Sequence, residues 1–248
     1  FKGPEFKMPK LTLHDLIETC RVNTCSAAGL DGWHPKDLAL ISDMALNLIV
    51  DLLNAIEDGA LEDRISAVEA DIGPIEVVIY NLGAQIGNRS LADTSYKAFE
   101  MGWRLATLGL FRAASSVCPL MEQRGRGTFI VTSATAAIRG NAGQHSHAAA
   151  MGGRRMLCQS LNAEFGPKGI HIAHVLIDGP VDAPDTLGKM LGPEQFQALR
   201  ETRGLEHDGL MLPTKIADTY WHLAQQHRST WTHEMDLRSF VGTPWWND

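Results

Sequence analysis

The chain is short of positive charge. Its 248 residues carry 22 Lys and Arg against 29 Asp and Glu, a formal net charge of −7 at pH 7. Phosphate recognition needs a concentrated basic face, so this balance argues against a nucleic-acid partner. Cysteine is scarce as well: Cys20, Cys25, Cys118 and Cys158 show no Cys-x-x-Cys spacing and no framework of short loops. A disulfide scaffold is thereby excluded, and reduced thiols in a cytoplasmic setting are expected. No uncharged apolar run reaches the roughly 18 residues that a membrane helix needs. No apolar stretch follows a basic start, so the first residues do not read as a secretory signal. Internal repeats and low-complexity segments are absent too.

What is present is ordinary for a globular protein, with 44% hydrophobic and 21% charged residues. The length suits one large α/β domain or two small ones. Gly3-Pro4-Glu5-Phe6 resembles the remnant of a protease site and a cloning junction, which implies a native start near Met8. Residues 1–8 are therefore set apart from a helical segment at 9–60 and an α/β domain at 61–248.

In the helical segment, Leu11 to Cys20 precedes a turn at Ala28-Gly29-Leu30-Asp31-Gly32, and a long helix is expected from Pro35 to about Ile56. Leu38, Ile41, Met44, Leu48, Leu52 and Ile56 recur at helical spacing, an apolar stripe that must be buried. From about Leu61 helix and strand alternate. Glu62 to Ile72 reads as a short helix stopped by Gly73-Pro74, and Ile75 to Tyr80 as a strand covered on both faces. A helix follows from about Tyr96 to Met121, bent at Pro119. Thr128 to Thr132 is a second strand, His147 to Phe165 a helix and Ile170 to Ile177 a third strand. Lys215 to Gln226 is a last helix, and a short strand near Met235–Leu237 completes the layer. This alternation predicts a parallel sheet with right-handed crossovers. Trp231, Trp245 and Trp246 are expected to serve either packing or a contact surface.

Two stretches carry a family likeness: Ile-Glu-Val-Val-Ile-Tyr-Asn-Leu-Gly-Ala at 75–84 and Gly-Gln-His-Ser-His-Ala-Ala-Ala-Met-Gly-Gly-Arg-Arg-Met-Leu at 143–157. The run Trp103 to Gly109 fixes the register between them. From about Glu62 to Phe240 the chain resembles the short-chain dehydrogenase/reductase family. The resemblance implies a Rossmann-like three-layer parallel α/β sheet, an NADP or NAD cofactor and a small carbonyl or alcohol substrate. In that family a Tyr and a Lys four residues apart on one helix transfer the proton and hold the cofactor ribose. Those positions are filled here by His147 and Met151. The family's Ser position falls on Ala134, flanked by Ser133 and Thr135, and its helical Asn position on Ala106. The resemblance therefore marks Ser133, Thr135, His147 and Met151 as the candidate catalytic set. Asn81 and Gly83 match the family's Asn-Asn-Ala-Gly turn on the adenosine side of the cofactor. Gly179 and Val181, after Asp178, stand where a backbone meets the nicotinamide amide. These four are the candidate cofactor-binding residues.

Upstream the likeness stops. No Gly-x-x-x-Gly-x-Gly or Gly-x-Gly-x-x-Gly turn precedes Ile75, so the sheet is expected to be truncated in its N-terminal half. In its place, Cys25 to Leu38 resembles the fingers segment of retroelement reverse transcriptases, and weaker likeness continues to Gly59. The polymerase carboxylates and the Tyr-x-Asp-Asp motif are missing, which excludes two-metal polymerase chemistry. A chimera of a retroelement fragment and a truncated dehydrogenase is the implied origin. Loss of the neighbouring strands would turn the strand at 75–80 into an edge, and an apolar edge invites a homo-oligomer.

Weaker constellations are His145 with His147, and His171 with His174. Zinc would need convergent geometry and a further ligand, so no metal is assigned. Gly29 and Gly32 before Pro35 suit a phosphate turn, without the Walker spacing of Lys and Ser/Thr. Three functions compete: an oxidoreductase with His147 as acid and Ser133 or Thr135 polarising a carbonyl; a pseudoenzyme that binds a ligand or partner; and a nucleic-acid module, which the acidic charge disfavours.

Overall fold

A computed structural model describes residues 60–247, apart from 84–88, 189–190 and 205. The helical segment at 9–59, with its reverse-transcriptase likeness, the Gly29/Gly32 turn and the chimera reading, lies outside the described residues.

Helix α1 (Ala60–Asp71) leads into strand β1 (Val77–Tyr80). The junction is tied by polar groups. Glu69 Oε1 accepts the Ile75 N–H at 2.8 Å, and Arg124 donates both to Glu69 and to the Ile75 carbonyl. Helix α2 (Tyr96–Trp103) starts at Ser95, whose hydroxyl accepts the Ala98 N–H at 3.1 Å. Such a cap contributes about 1 kcal/mol. The helix then widens into one π-turn at Arg104–Leu108 and continues as α3 (Gly109–Arg124).

The sequence places the irregularity of this long helix at Pro119. Pro119 instead sits inside α3, and the irregular turn is at Arg104–Leu108. Its cause is visible in the carbonyls. Leu105 O accepts the Tyr80 hydroxyl at 2.5 Å and Ala106 O accepts Arg154 Nε at 3.2 Å. Side-chain donors entering the carbonyl ladder displace the usual repeat, a recognised origin of helix irregularity.

Strand β2 (Gly127–Ala134) follows, then α4 (His145–Phe165), β3 (Ile170–Asp178), α5 (Pro193–Arg203), α6 (Pro213–Ala224) and β4 (Glu234–Arg238). The strands lie in the order β1-β2-β3-β4, every neighbouring pair parallel. Alternation along the strands sorts the core into two layers. Phe129, Val131, Ile170 and Ile172 face α3 and α4, where Leu110, Val117, Met121, Cys158 and Phe165 meet them. Ile130, Ala173, Val175 and Ile177 face the other way, against Met211, Tyr220 and Leu223. The result is a helix–sheet–helix sandwich, the Rossmann-like architecture expected.

Among the described residues β1 stands at the sheet edge, with Val77 and Ile79 at 40% and 51% exposure. Of the three tryptophans near the C-terminus, Trp231 packs within the fold and Trp246 is 54% exposed. Trp231 stacks on His171 at 5.0 Å, Arg238 lies over Trp246, and the Trp245 backbone is held by Asp178 and Arg139.

Candidate functional site

Parallel strands point their C-terminal ends one way, and open α/β sheets bind ligands there. At that end a cavity of about 470 Å³ opens between the last residues of β1 and β2, the turn after β3, α4 and α6. Strand alternation sets its walls. Thr132 points to the α6 side, where its hydroxyl meets the Tyr220 hydroxyl at 2.6 Å. Ser133 points to the α4 side, where its hydroxyl lies 3.6 Å from the Met151 sulfur.

Helix α4 presents His147, Met151 and Arg154 along one face, because positions four and seven apart overlie each other on a helix. All three are buried and line the cavity. The face is brought close to the long helix by Gly153, where a Cβ would lie 3.0 Å from the Thr107 hydroxyl. Thr107 in turn donates to the Ala150 carbonyl at 2.9 Å. Ile79, Ile177, Val181 and Ile216 give the cavity its apolar walls.

Of the eight residues singled out from the sequence, six line this cavity: Ser133, His147, Met151, Asn81, Gly83 and Val181. Thr135 does not; it opens a 3-10 turn, and its carbonyl accepts the Ile138 and Arg139 N–H groups. Gly179 does not either. It adopts φ +140°, a conformation favouring glycine, and lets the chain turn past Met211 and Ser239. Of the histidines, His145 is exposed while His171 and His174 are buried in the β3 strand. Among the described residues no three His, Cys, Asp or Glu side chains converge as metal ligands.

Arg154 is the residue that sequence reasoning missed. It is 2% exposed, and its guanidinium donates to three main-chain carbonyls: Leu82 O at 2.6 Å, Thr132 O at 2.6 Å and Ala106 O at 3.2 Å. It also lies over the Tyr80 ring, 5.2 Å from the centroid. Burial pulls the guanidinium's pKa down and pushes the Tyr80 phenol up to about 12. One side chain thus pins the turn after β1, the end of β2 and the π-turn around the cavity. The available signal was its position: an Arg on the face shared by Met151, Cys158 and Phe165 must find acceptors.

Comparison with known proteins decides the family. The family model described as Enoyl-(Acyl carrier protein) reductase matches residues 47–235, well over half of the chain. The chain belongs to the short-chain dehydrogenase/reductase family. Among curated relatives, Nodulation protein G of Azospirillum brasilense is 28% identical over 108 residues, 44% of each chain. The chain thus spans less than half the length of that relative. Among solved structures, a short-chain dehydrogenase from Rhodopseudomonas palustris is 26% identical, covering 91% of this chain and 92% of its own at TM-score 0.58. An alcohol dehydrogenase from the archaeon Thermococcus sibiricus, complexed with 5-hydroxy-NADP, covers 94% of both chains at 18% identity and TM-score 0.62. At that identity the likeness speaks to the fold alone. The oxidoreductase scaffold is therefore established, and no helix among the described residues is long and apolar enough to cross a membrane.

Proposed function

We propose that this chain is a pseudoenzyme of the dehydrogenase family: it keeps the ligand cleft and has lost the proton relay. Hydride transfer between NADP or NAD and a carbonyl or alcohol is then impaired or absent. The observation that carries the reading is the pairing of Ser133 with Met151 at 3.6 Å on the cavity wall. A thioether has neither charge nor proton to give, so it neither lowers the pKa of a neighbouring acid nor grips a ribose hydroxyl. Ala106 and Ala134, at the other two relay positions, contribute only methyl groups.

The same wall bears on a nicotinamide cofactor. At its ring end the cleft is suitable: Val181 bridges to Met211 through the flanking Pro180 carbonyl and Asp182 N–H, so its own N–H turns away from that bridge. At the ribose end it is not. Met151, at the family's Lys position, supplies no donor for a ribose hydroxyl. Among the described residues the ribose end of a dinucleotide therefore lacks the grip that the family's Lys would give it.

One observation favours the rival reading of an active oxidoreductase. His147 and Ser133 line one cavity, where an imidazole would serve as acid and a hydroxyl would polarise a carbonyl. Calorimetric titration with NADPH and NADH separates the two. The pseudoenzyme reading expects no binding up to millimolar cofactor and no reduction of a panel of ketones. Micromolar binding with turnover sinks it. The same reading takes a small molecule as ligand and a homo-oligomer as assembly, the latter supported by the exposed apolar β1 edge. Light scattering coupled to gel filtration tests that part, and a strictly monomeric profile removes it.

A further inference from the structure

We infer that the cavity takes a small, mainly apolar ligand carrying one negative charge, a carboxylate at the end of a hydrocarbon body, and that Arg154 selects it. This rests on the cleft being a ligand site and adds the class of ligand.

Charge is the first ground. Among the described residues Arg154 is the one side chain of fixed charge in the cavity wall, and those residues include no acid. A cation buried to this degree ordinarily has a carboxylate partner. Here the bonded partners are three neutral carbonyls, so the net positive charge of the wall stays uncancelled. Three contacts use three of the five guanidinium N–H groups. An entering carboxylate supplies the missing opposite charge and the acceptors for the others. Low dielectric strengthens that attraction.

Shape and polarity are the second ground. Ile79, Met151, Ile177, Val181 and Ile216 offer hydrocarbon to the ligand body, and about 470 Å³ lies within the range of small-molecule pockets. A highly charged ligand such as a dinucleotide would find no second fixed cation for its phosphates among the described lining residues. A monoanion would not. Ser133 and His147 add polar atoms along the same wall, which orients the head group towards α4.

The test is calorimetric titration of the full chain with decanoate and with 1-decanol, which share the hydrocarbon body and differ in charge. Decanoate is expected to bind roughly ten to a hundred times more tightly, the factor that one hydrogen bond to a charged group contributes. Arg154→Lys should retain part of that preference, and Arg154→Met should abolish it. Because the methionine variant also removes structural bonds, His147→Trp is the second arm. It leaves the three carbonyl contacts intact and fills the cavity, and it should eliminate decanoate binding. Equal affinities for decanoate and decanol overturn the charge selection while leaving the ligand cleft standing. Decanoate binding that survives His147→Trp places the site elsewhere and overturns the inference. Silence from both probes overturns the cleft as an apolar ligand site altogether.

Discussion

Replacing Arg154 with Met should cost more stability than any other Arg-to-Met change among the described residues. Methionine keeps the apolar stem, so little hydrocarbon contact is lost. What goes are three hydrogen bonds, at 2.6, 2.6 and 3.2 Å, to Leu82, Thr132 and Ala106. Bonds to a charged donor contribute about 1.5–3 kcal/mol each, so the gross loss is about 4–9 kcal/mol. Against this, the variant no longer pays several kcal/mol to hold a guanidinium out of water. Removing one member of a buried charged set leaves its partners unsatisfied, and the net cost expected is on the order of 3–5 kcal/mol. Urea unfolding followed by Trp fluorescence and far-ultraviolet circular dichroism measures it. With a slope of about 2 kcal/mol per molar, the midpoint should fall by roughly 1.5–2.5 M. Arg126→Met is the control, since Arg126 is 66% exposed in its pair with Glu76 and should unfold like the parent. If the two variants have the same midpoint, the three carbonyls do not depend on the guanidinium and the reasoning about the cavity frame is wrong.

Other expectations follow from the same packing. Burial lowers the pKa of His174 from 6.5 to about 4, and its Nδ1 lies 3.0 Å from Glu234. Between those values the unfolded chain holds a proton that the folded chain refuses, so stability is full above pH 6.5 and declines as pH falls towards 4. The loss is on the order of 3 kcal/mol at the acidic end; His174→Asn should flatten that part of the profile, and parallel profiles would contradict it. The Cys118 and Cys158 thiols are both pushed up to about 12 by burial, so neither should be alkylated by iodoacetamide at pH 8 in the folded chain. Peptide mass mapping before and after unfolding checks this. Gly127 has φ +156°, and a Cβ there would fall 2.3 Å from the Met121 sulfur. Gly127→Ala should lower stability by about 1–3 kcal/mol in the same urea assay, and a neutral result would show that Met121 moves freely. Restoring the family pair with His147→Tyr and Met151→Lys should yield no NADPH-dependent ketone reduction, and a clear rate gain would show that the relay alone was missing.

The elements that the sequence predicted well are those whose local chemistry and tertiary role agree. Ile170 to Ile177 is apolar on both faces because helices cover both faces, and the strand extends only one residue further, to Asp178. Helix α5 was not anticipated. Its sequence, Pro-Glu-Gln-Phe-Gln-Ala-Leu-Arg-Glu-Thr-Arg, buries Phe196 alone, and Phe196, Ala198 and Leu199 make no extended periodic stripe. The π-turn was invisible for a different reason, since donors from Tyr80 and Arg154, far away in sequence, impose it.

The same distinction separates the parts of the site. Six residues came from positions that the family likeness marks, and the fold brings those six to one cavity. Arg154 stands at none of those positions, so position-by-position transfer never asks about it. Yet the two kinds of residue answer one another physically. Met151 presents a thioether, and three residues further along α4 Arg154 presents a cation bonded to the carbonyl of Ala106 itself, and to those of Thr132 and Leu82. The described wall of the cleft thus holds a guanidinium at position 154 and a thioether at position 151. Under the pseudoenzyme reading proposed above, such a wall would hold the frame of the cleft without serving proton transfer.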